Sequence, residues 1–215
     1  RQMCIRDSSY ITLEADQLSR KDENYHREVS EELARQIGQL LEGEDYRASG
    51  FHVLVVGLGN SSVTPDSLGP RVLNNLQVTR HLKVQYGDEF WNGRSMPVIS
   101  GIVPGVMAQT GMESAEILKG IIHETKPNLI IAIDALAARS VKRLGTTIQL
   151  TDTGIHPGSG VGNHRHSLTK ESLGIPVMAI GVPTVVGAAA IVHDTVSALI
   201  AALSKGMGTK GMGDF

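Results

Sequence analysis

The sequence lacks several features that define common protein classes. It has a single cysteine, Cys4, so no intramolecular disulfide framework can form, and the chain fits a reducing cytosol. Neither sign of charge dominates. Twenty Lys and Arg against 22 Asp and Glu leave a net charge of −2, which gives no bulk attraction to nucleic acid or to an anionic membrane. No apolar run reaches the ~18 residues a membrane-spanning helix needs, and the opening residues carry no signal-peptide pattern. The Walker pattern G-x-x-x-x-G-K-[ST] is absent. The dinucleotide pattern that starts at Gly57 and Gly59 has Ser62 where its third glycine belongs, and "GSGVGN" lacks that glycine too. No cofactor is therefore expected. The G-x-S-x-G elbow of serine hydrolases is also missing.

What is present is enough for a globular core: 215 residues, 41% of them hydrophobic. "FHVLVVG" (51–57), "LIIAID" (129–134) and "VMAIGVP" (177–183) are short, continuous apolar runs. Runs of this kind suit strands buried on both faces of a parallel sheet. "MPVISGIVPG" and "GTTIQLTD" are weaker strand candidates. Helical spacing fills the intervals: Leu68 to Leu76, "MESAEILKGIIHET" with Ile117, Ile121 and Ile122 on one face, and "AAAIVHDTVSALIAAL". Alternating strands and helices predict an α/β fold, a doubly wound three-layer sandwich around a mainly parallel central sheet. Residues 51–203 form the expected catalytic α/β domain. Residues 1–50 read as an N-terminal extension with one amphipathic helix carrying Leu33, Ile37, Leu40 and Leu41, which packs on that domain. Residues 1–9 show no periodicity and read as native chain or as a cloning scar, which removes Cys4 as a nucleophile. Residues 204–215, rich in glycine, read as a flexible tail or truncation point.

In open α/β sheets, sites form beyond the carboxyl ends of the parallel strands. Three polar features should gather there: Asp66 in the loop after the first strand, Asp134 at the end of "LIIAID", and the long loop 152–167. Two carboxylates that share a site can divide into a general base and a general acid around one water. Each aspartate has a plainer reading as a helix N-cap, Asp66 before "SLGP" and Asp134 before "ALAAR". His156 could orient water, bind a metal or anchor substrate, or could be a solvated loop residue. His164 and His166 read as surface residues. Arg139 and Arg165 could hold an acidic substrate group or be surface charges. The glycine loop from Gly154 to Gly162, with Gly158 and Gly160 at its centre, could supply backbone donors to an oxyanion.

"VVGLGNSSVTPDSLGP", "VPGVMAQTGMES", "IAIDALAARS", "DTGIHPGSGVGNHR" and "LGIPVMAIGVPTVV" occur in series. In order and approximate spacing they resemble the spore germination protease family of endospore-forming bacteria, from about Tyr10 to about Leu203. The resemblance implies an aspartic-type endopeptidase of the spore core. Its substrates would be small acid-soluble spore proteins, cleaved early in germination, with no direct role for nucleic acid or membrane. It also implies a zymogen that loses a propeptide, a homotetramer, and a fold similar to that of hydrogenase maturation endopeptidases. The acid of "VTPD" maps onto Asp66 and that of "IDALAAR" onto Asp134, the implied catalytic pair. In the hydrogenase-maturation relatives the matching carboxylates and a histidine bind nickel, and His156 is the candidate for that third position. The family has further sequence on both sides of this chain, so the propeptide and its processing site are expected to be missing. Gly187 stands where the family pattern usually has an aspartate. Two rival readings remain: a nickel-linked maturation-type endopeptidase, and a non-catalytic α/β module that binds a small ligand.

Overall fold

The computed structural model describes residues 2–5, 8–42, 45–46, 48, 50–87, 97–158 and 166–208. In chain order the elements are β1 (Gln2–Ile5), β2 (Ser8–Glu14), α1 (Glu23–Leu40), β3 (His52–Gly57), a 3₁₀ turn at Thr64–Asp66, α2 (Leu68–Asn75) and α3 (Arg80–Tyr86). There follow β4 (Val98–Ile102), α4 (Met107–Thr110), α5 (Ser114–Thr125), β5 (Leu129–Ala138), a second 3₁₀ turn at Val141–Arg143, β6 (Thr147–Thr151), α6 (Lys170–Leu173), β7 (Val177–Val186) and α7 (Ala188–Gly208). The strands make one seven-stranded sheet in the order β1-β2-β6-β7-β5-β3-β4. β7, β5, β3 and β4 pair in parallel, while β1, β2 and β6 join through antiparallel ladders. The expected α/β sandwich with a mainly parallel sheet is the observed fold. Among the described residues no helix is long and apolar enough to cross a membrane.

The apolar runs of β3 and β5 are buried on both faces, as their composition requires. On one face Leu54, Val56, Ile130 and Ala132 pack against Ala115 and Leu118 of α5 and Leu173 of α6. Leu118, flanked by Ile121 and Ile122, is the fully buried centre of α5, while Ile117 is only partly buried. A capping box closes the amino end of α5, with Glu113 at the cap and Glu116 returning the bond. On the other face Leu33, Ile37 and Leu40 of α1 cover Ile11, Ile148 and Leu150. α1 starts at Asp22, whose carboxylate accepts the N–H groups of Asn24 and Tyr25.

Three expectations need correction. Residues 2–5, set aside for want of periodicity, form β1 and pair with β2; an edge strand that short is specified by its partner more than by its own pattern. The helix predicted to stop near Leu203 continues to Gly208. The run "LIIAID" does not end its strand at Asp134. β5 continues to Ala138, paired with β7, and its register shifts between Leu136 and Ala137. "ALAAR" has good helix propensity, but cross-strand pairing decides its conformation.

His52 begins β3 and is 6% exposed. Its Nδ1 donates to the Thr125 carbonyl at 3.1 Å, so Nε2 accepts from the Ser100 hydroxyl at 2.7 Å. Burial pushes this imidazole below the ordinary histidine range; the Thr125 bond opposes the shift and the Arg80 charge adds to it. With the folded value depressed, its contribution to stability is complete above about pH 6.5 and is lost as pH falls below it. The denaturation midpoint is therefore expected to drop between about pH 7 and pH 5, and His52→Gln is expected to flatten that dependence. Leu118→Ala leaves a cavity in the α5 face and is expected to cost about 2–5 kcal/mol in denaturant unfolding.

Candidate active site

The loop after β3 is built on backbone contact. A Cβ on Gly57 would lie 2.5 Å from the Gly69 carbonyl oxygen, and one on Gly69 would lie 2.3 Å from that of Leu58. Only glycine at both positions lets α2 sit directly on the end of β3. Gly59, at φ +113°, turns the chain so closely that a Cβ there would meet the Asp66 carbonyl oxygen at 2.0 Å. Asn60 N–H then donates to both Asp66 Oδ2 (2.8 Å) and the Asp66 carbonyl (3.1 Å). Asp66 is thus not the cap of α2. Ser67 holds the cap position, and the Asp66 carboxylate reaches back across the loop. The glycine turn that resembles a phosphate loop presents a carboxylate.

Asp134 is 7% exposed and lies opposite Gly181 in the β5–β7 ladder. Its Oδ1 accepts the N–H of Ala135 at 2.8 Å. The helix-cap reading fails here too, because the chain that follows is strand. Asp66 and Asp134 line the same cleft of about 510 Å³, together with Arg139, His156 and Gly158. Arg139 and His156 are exposed. His156 lies between Ile155, which pairs with Leu168, and the buried Pro157. Gly160, His164 and Arg165 lie outside the described residues, as does most of the Gly154–Gly162 loop beyond Gly158. Among the described residues, no three of His, Cys, Asp and Glu are grouped so as to hold a metal ion. Asp66, Asp134 and His156 therefore share the cleft without forming a ligand set.

Three supporting residues escaped the sequence reading. Thr184 sits at the β7 register shift, beside Pro183, and its hydroxyl donates to the Pro65 carbonyl at 2.6 Å. That bond ties the end of β7 to the turn bearing Asp66. Nothing local in "VPTVV" signals it, although proline in a strand is itself a mark of a bulge. Asn60 was legible as a turn residue: its Oδ1 accepts from Ser62 N–H at 2.9 Å and from Gln109 at 3.3 Å. Glu113 accepts from the backbone N–H of His166 at 3.1 Å and also pairs with its ring. His166 is on the surface as expected, yet it ties the far end of the long loop to α5. Beyond Arg139, the Ser140 hydroxyl and Val141 N–H donate to Asp194 of α7 at 2.8 and 2.9 Å. These two donors, Val141 first, hold the Asp194 carboxyl below its usual range. Gly187 precedes α7 with open space around a would-be Cβ, so an acid at that position would fit.

Fold and site together define an α/β protein with two carboxylates, one in the loop after β3 and one within β5, lining a single cleft. The family model described as germination protease matches residues 1–212, and the chain belongs to that family. It is 54% identical over 200 residues to the germination protease of Caldanaerobacter subterraneus subsp. tengcongensis, covering 91% of this chain and 59% of that protein. It is 48% identical over 195 residues to the germination protease of Bacillus subtilis, covering 91% and 52%, and 50% identical over 188 residues to that of Bacillus pumilus, covering 87% and 50%. The chain thus spans about half the length of these curated relatives. Among solved structures, a [NiFe] hydrogenase maturation protease HycI from Thermococcus kodakarensis KOD1 is 18% identical, aligns over 75% of this chain and 97% of its own, and has a TM-score of 0.33, too low to support residue-level comparison.

Gly59→Ala is expected to destabilise the fold by about 1–3 kcal/mol, because both φ and the Asp66 carbonyl oppose a side chain. Denaturant unfolding measures it; a loss below about 0.5 kcal/mol would mean the turn can relax.

Proposed function

We propose that this chain carries the catalytic centre of an endopeptidase that cleaves small acid-soluble spore proteins at germination. The observation behind this reading is that Asp66 and Asp134 line one cleft in a chain of the germination protease family. In this mechanism the two aspartates hold a water between them. One carboxylate takes a proton from the water as it attacks the scissile carbonyl, and the other, as a carboxylic acid, protonates the departing amine. The pair titrates as a unit, so acid and base belong to the dyad. The backbone N–H of Gly158, joined by that of Gly160, would stabilise the tetrahedral oxyanion. Arg139 and His156, both exposed in the cleft, would orient the substrate.

The same proposal includes the aspartic-type class, cofactor-free chemistry, synthesis as a zymogen, action in the spore core and assembly as a homotetramer. Val192, Leu199 and Leu203 of α7, 62%, 58% and 59% exposed, supply apolar surface that an assembly would cover. Among the described residues no observation favours the nickel-linked reading, since the donors do not converge.

The test is cleavage of a purified acid-soluble spore protein by the wild type, Asp66→Asn and Asp134→Asn, each with and without a chelator. The expected result is a few discrete cuts by the wild type, indifference to the chelator, and folded variants slowed by about 10²–10⁴-fold. Full activity in either variant overturns the paired-acid mechanism. Chelator-sensitive cleavage, restored by nickel and lost in His156→Ala, would establish the metal-linked reading instead. A folded wild type that binds a small ligand through the two aspartates but cuts nothing would establish the binding module.

A further inference from the structure

The two aspartates reach the cleft on different supports. Asp134 belongs to the ladder of β5 and β7, where it lies opposite Gly181. Asp66 ends the 3₁₀ turn after β3 and is outside that ladder. The separation of the two carboxylates therefore depends on what joins the turn to the ladder.

β7 carries one residue more than β5 at the register shift. Leu136 pairs with Pro183 and Ala137 with Val185, which leaves Thr184 with no residue opposite it. An extra residue of this kind bends its strand and re-aims its side chain. Thr184 lines the cleft, and its hydroxyl donates to the Pro65 carbonyl at 2.6 Å. That carbonyl and the N–H of Asp66 belong to one planar peptide group. The N–H end is held as well, by the Val63 carbonyl at 2.9 Å. The next peptide group is held by Asn60, whose N–H reaches the Asp66 carbonyl at 3.1 Å. With both flanking peptide groups pinned, φ and ψ of Asp66 are fixed, and with them the direction of its side chain. The bonds from Val63 and Asn60 arise within the turn and keep its shape. The Thr184 bond comes from the strand beside Asp134 and sets where the turn stands.

We propose that Thr184 is a positioning residue of the peptidase. Through the Pro65 carbonyl it holds Asp66 at the distance from Asp134 at which both carboxylates reach one water. Its effect on the reaction runs through Asp66. The inference rests on the endopeptidase reading above. It adds what fixes the geometry of the pair.

The experiment measures kcat and KM on a purified acid-soluble spore protein. It compares the wild type, Thr184→Val, Thr184→Ser, Asp66→Asn and the double variant Asp66→Asn/Thr184→Val, each checked for a native circular dichroism spectrum. Valine keeps the shape of threonine and removes the donor, whereas serine keeps the donor. Misplacing a reacting group by about 1 Å costs on the order of 10²-fold. Thr184→Val is therefore expected to lower kcat by about 10–100-fold, with KM within about twofold of the wild type. Thr184→Ser is expected to recover most of the rate. In the Asp66→Asn background, Thr184→Val is expected to slow the residual rate by less than about twofold, because the group it places is already gone. Thr184→Ala also lacks the donor and takes the place of Thr184→Val if that variant does not fold. The positioning role is wrong if the donor-less variant keeps the wild-type kcat, or if Thr184→Ser is equally slow. It is also wrong if the loss is the same in both backgrounds, or if KM alone rises, which would make Thr184 a substrate contact. In each of these cases the wild type still cuts, and the peptidase reading survives. If the wild type cuts nothing, both fall together.

Discussion

The pairing of β5 with β7 beyond the end of β3 is the constraint on which the site depends. β3 ends at Gly57, opposite Ile133. β5 goes on, and from Asp134 onward its partner in the ladder is β7 alone. The ribbon of β5 and β7 therefore rises past the sheet edge where the loop after β3 turns away. Asp134 sits at the step and is buried. The register shift after Leu136 follows from the same ribbon, and it frees Thr184 to hold the Pro65 carbonyl. One backbone ladder thus carries one aspartate and anchors the turn that bears the other.

The turn itself is assembled at short range. Backbone contact between Gly57 and Gly69, and the left-handed geometry of Gly59, leave no room for side chains. What they gain is a helix seated on the strand end and a carboxylate fixed by the Asn60 N–H. A phosphate loop uses the same strand-to-helix turn but aims backbone donors outward. Here the Asn60 donor is spent internally on Asp66. The resemblance between the two devices is one of backbone geometry.

Much of this was legible because it is local. The buried strands announced themselves as continuous apolar runs, and α1, α2 and α5 by their spacing. Asp66 and Asp134 were legible as candidates, since topology brings the loops after neighbouring parallel strands to one edge. The cap readings failed for reasons a local pattern cannot contain. Asp134 is followed by a good helix-forming sequence that pairs with β7, and Asp66 is turned back by Asn60. Gly160 and Arg165 fall outside the described residues. The bond between Thr184 and Pro65 joins positions far apart in the chain, and no local signal specifies it.

By itself, then, the sequence determined the alternation of strand and helix, the two acids that meet in one cleft, and the glycines that let backbones touch. These are properties of short segments, where propensity, period and steric exclusion act over a few residues. The tertiary structure alone decided that β5 runs past Asp134, that Gln2–Ile5 forms a strand at all, and that Thr184 meets the turn bearing Asp66. Each of these depends on which strand lies next to which. That is settled by long-range pairing and burial, which override the preference of any single segment.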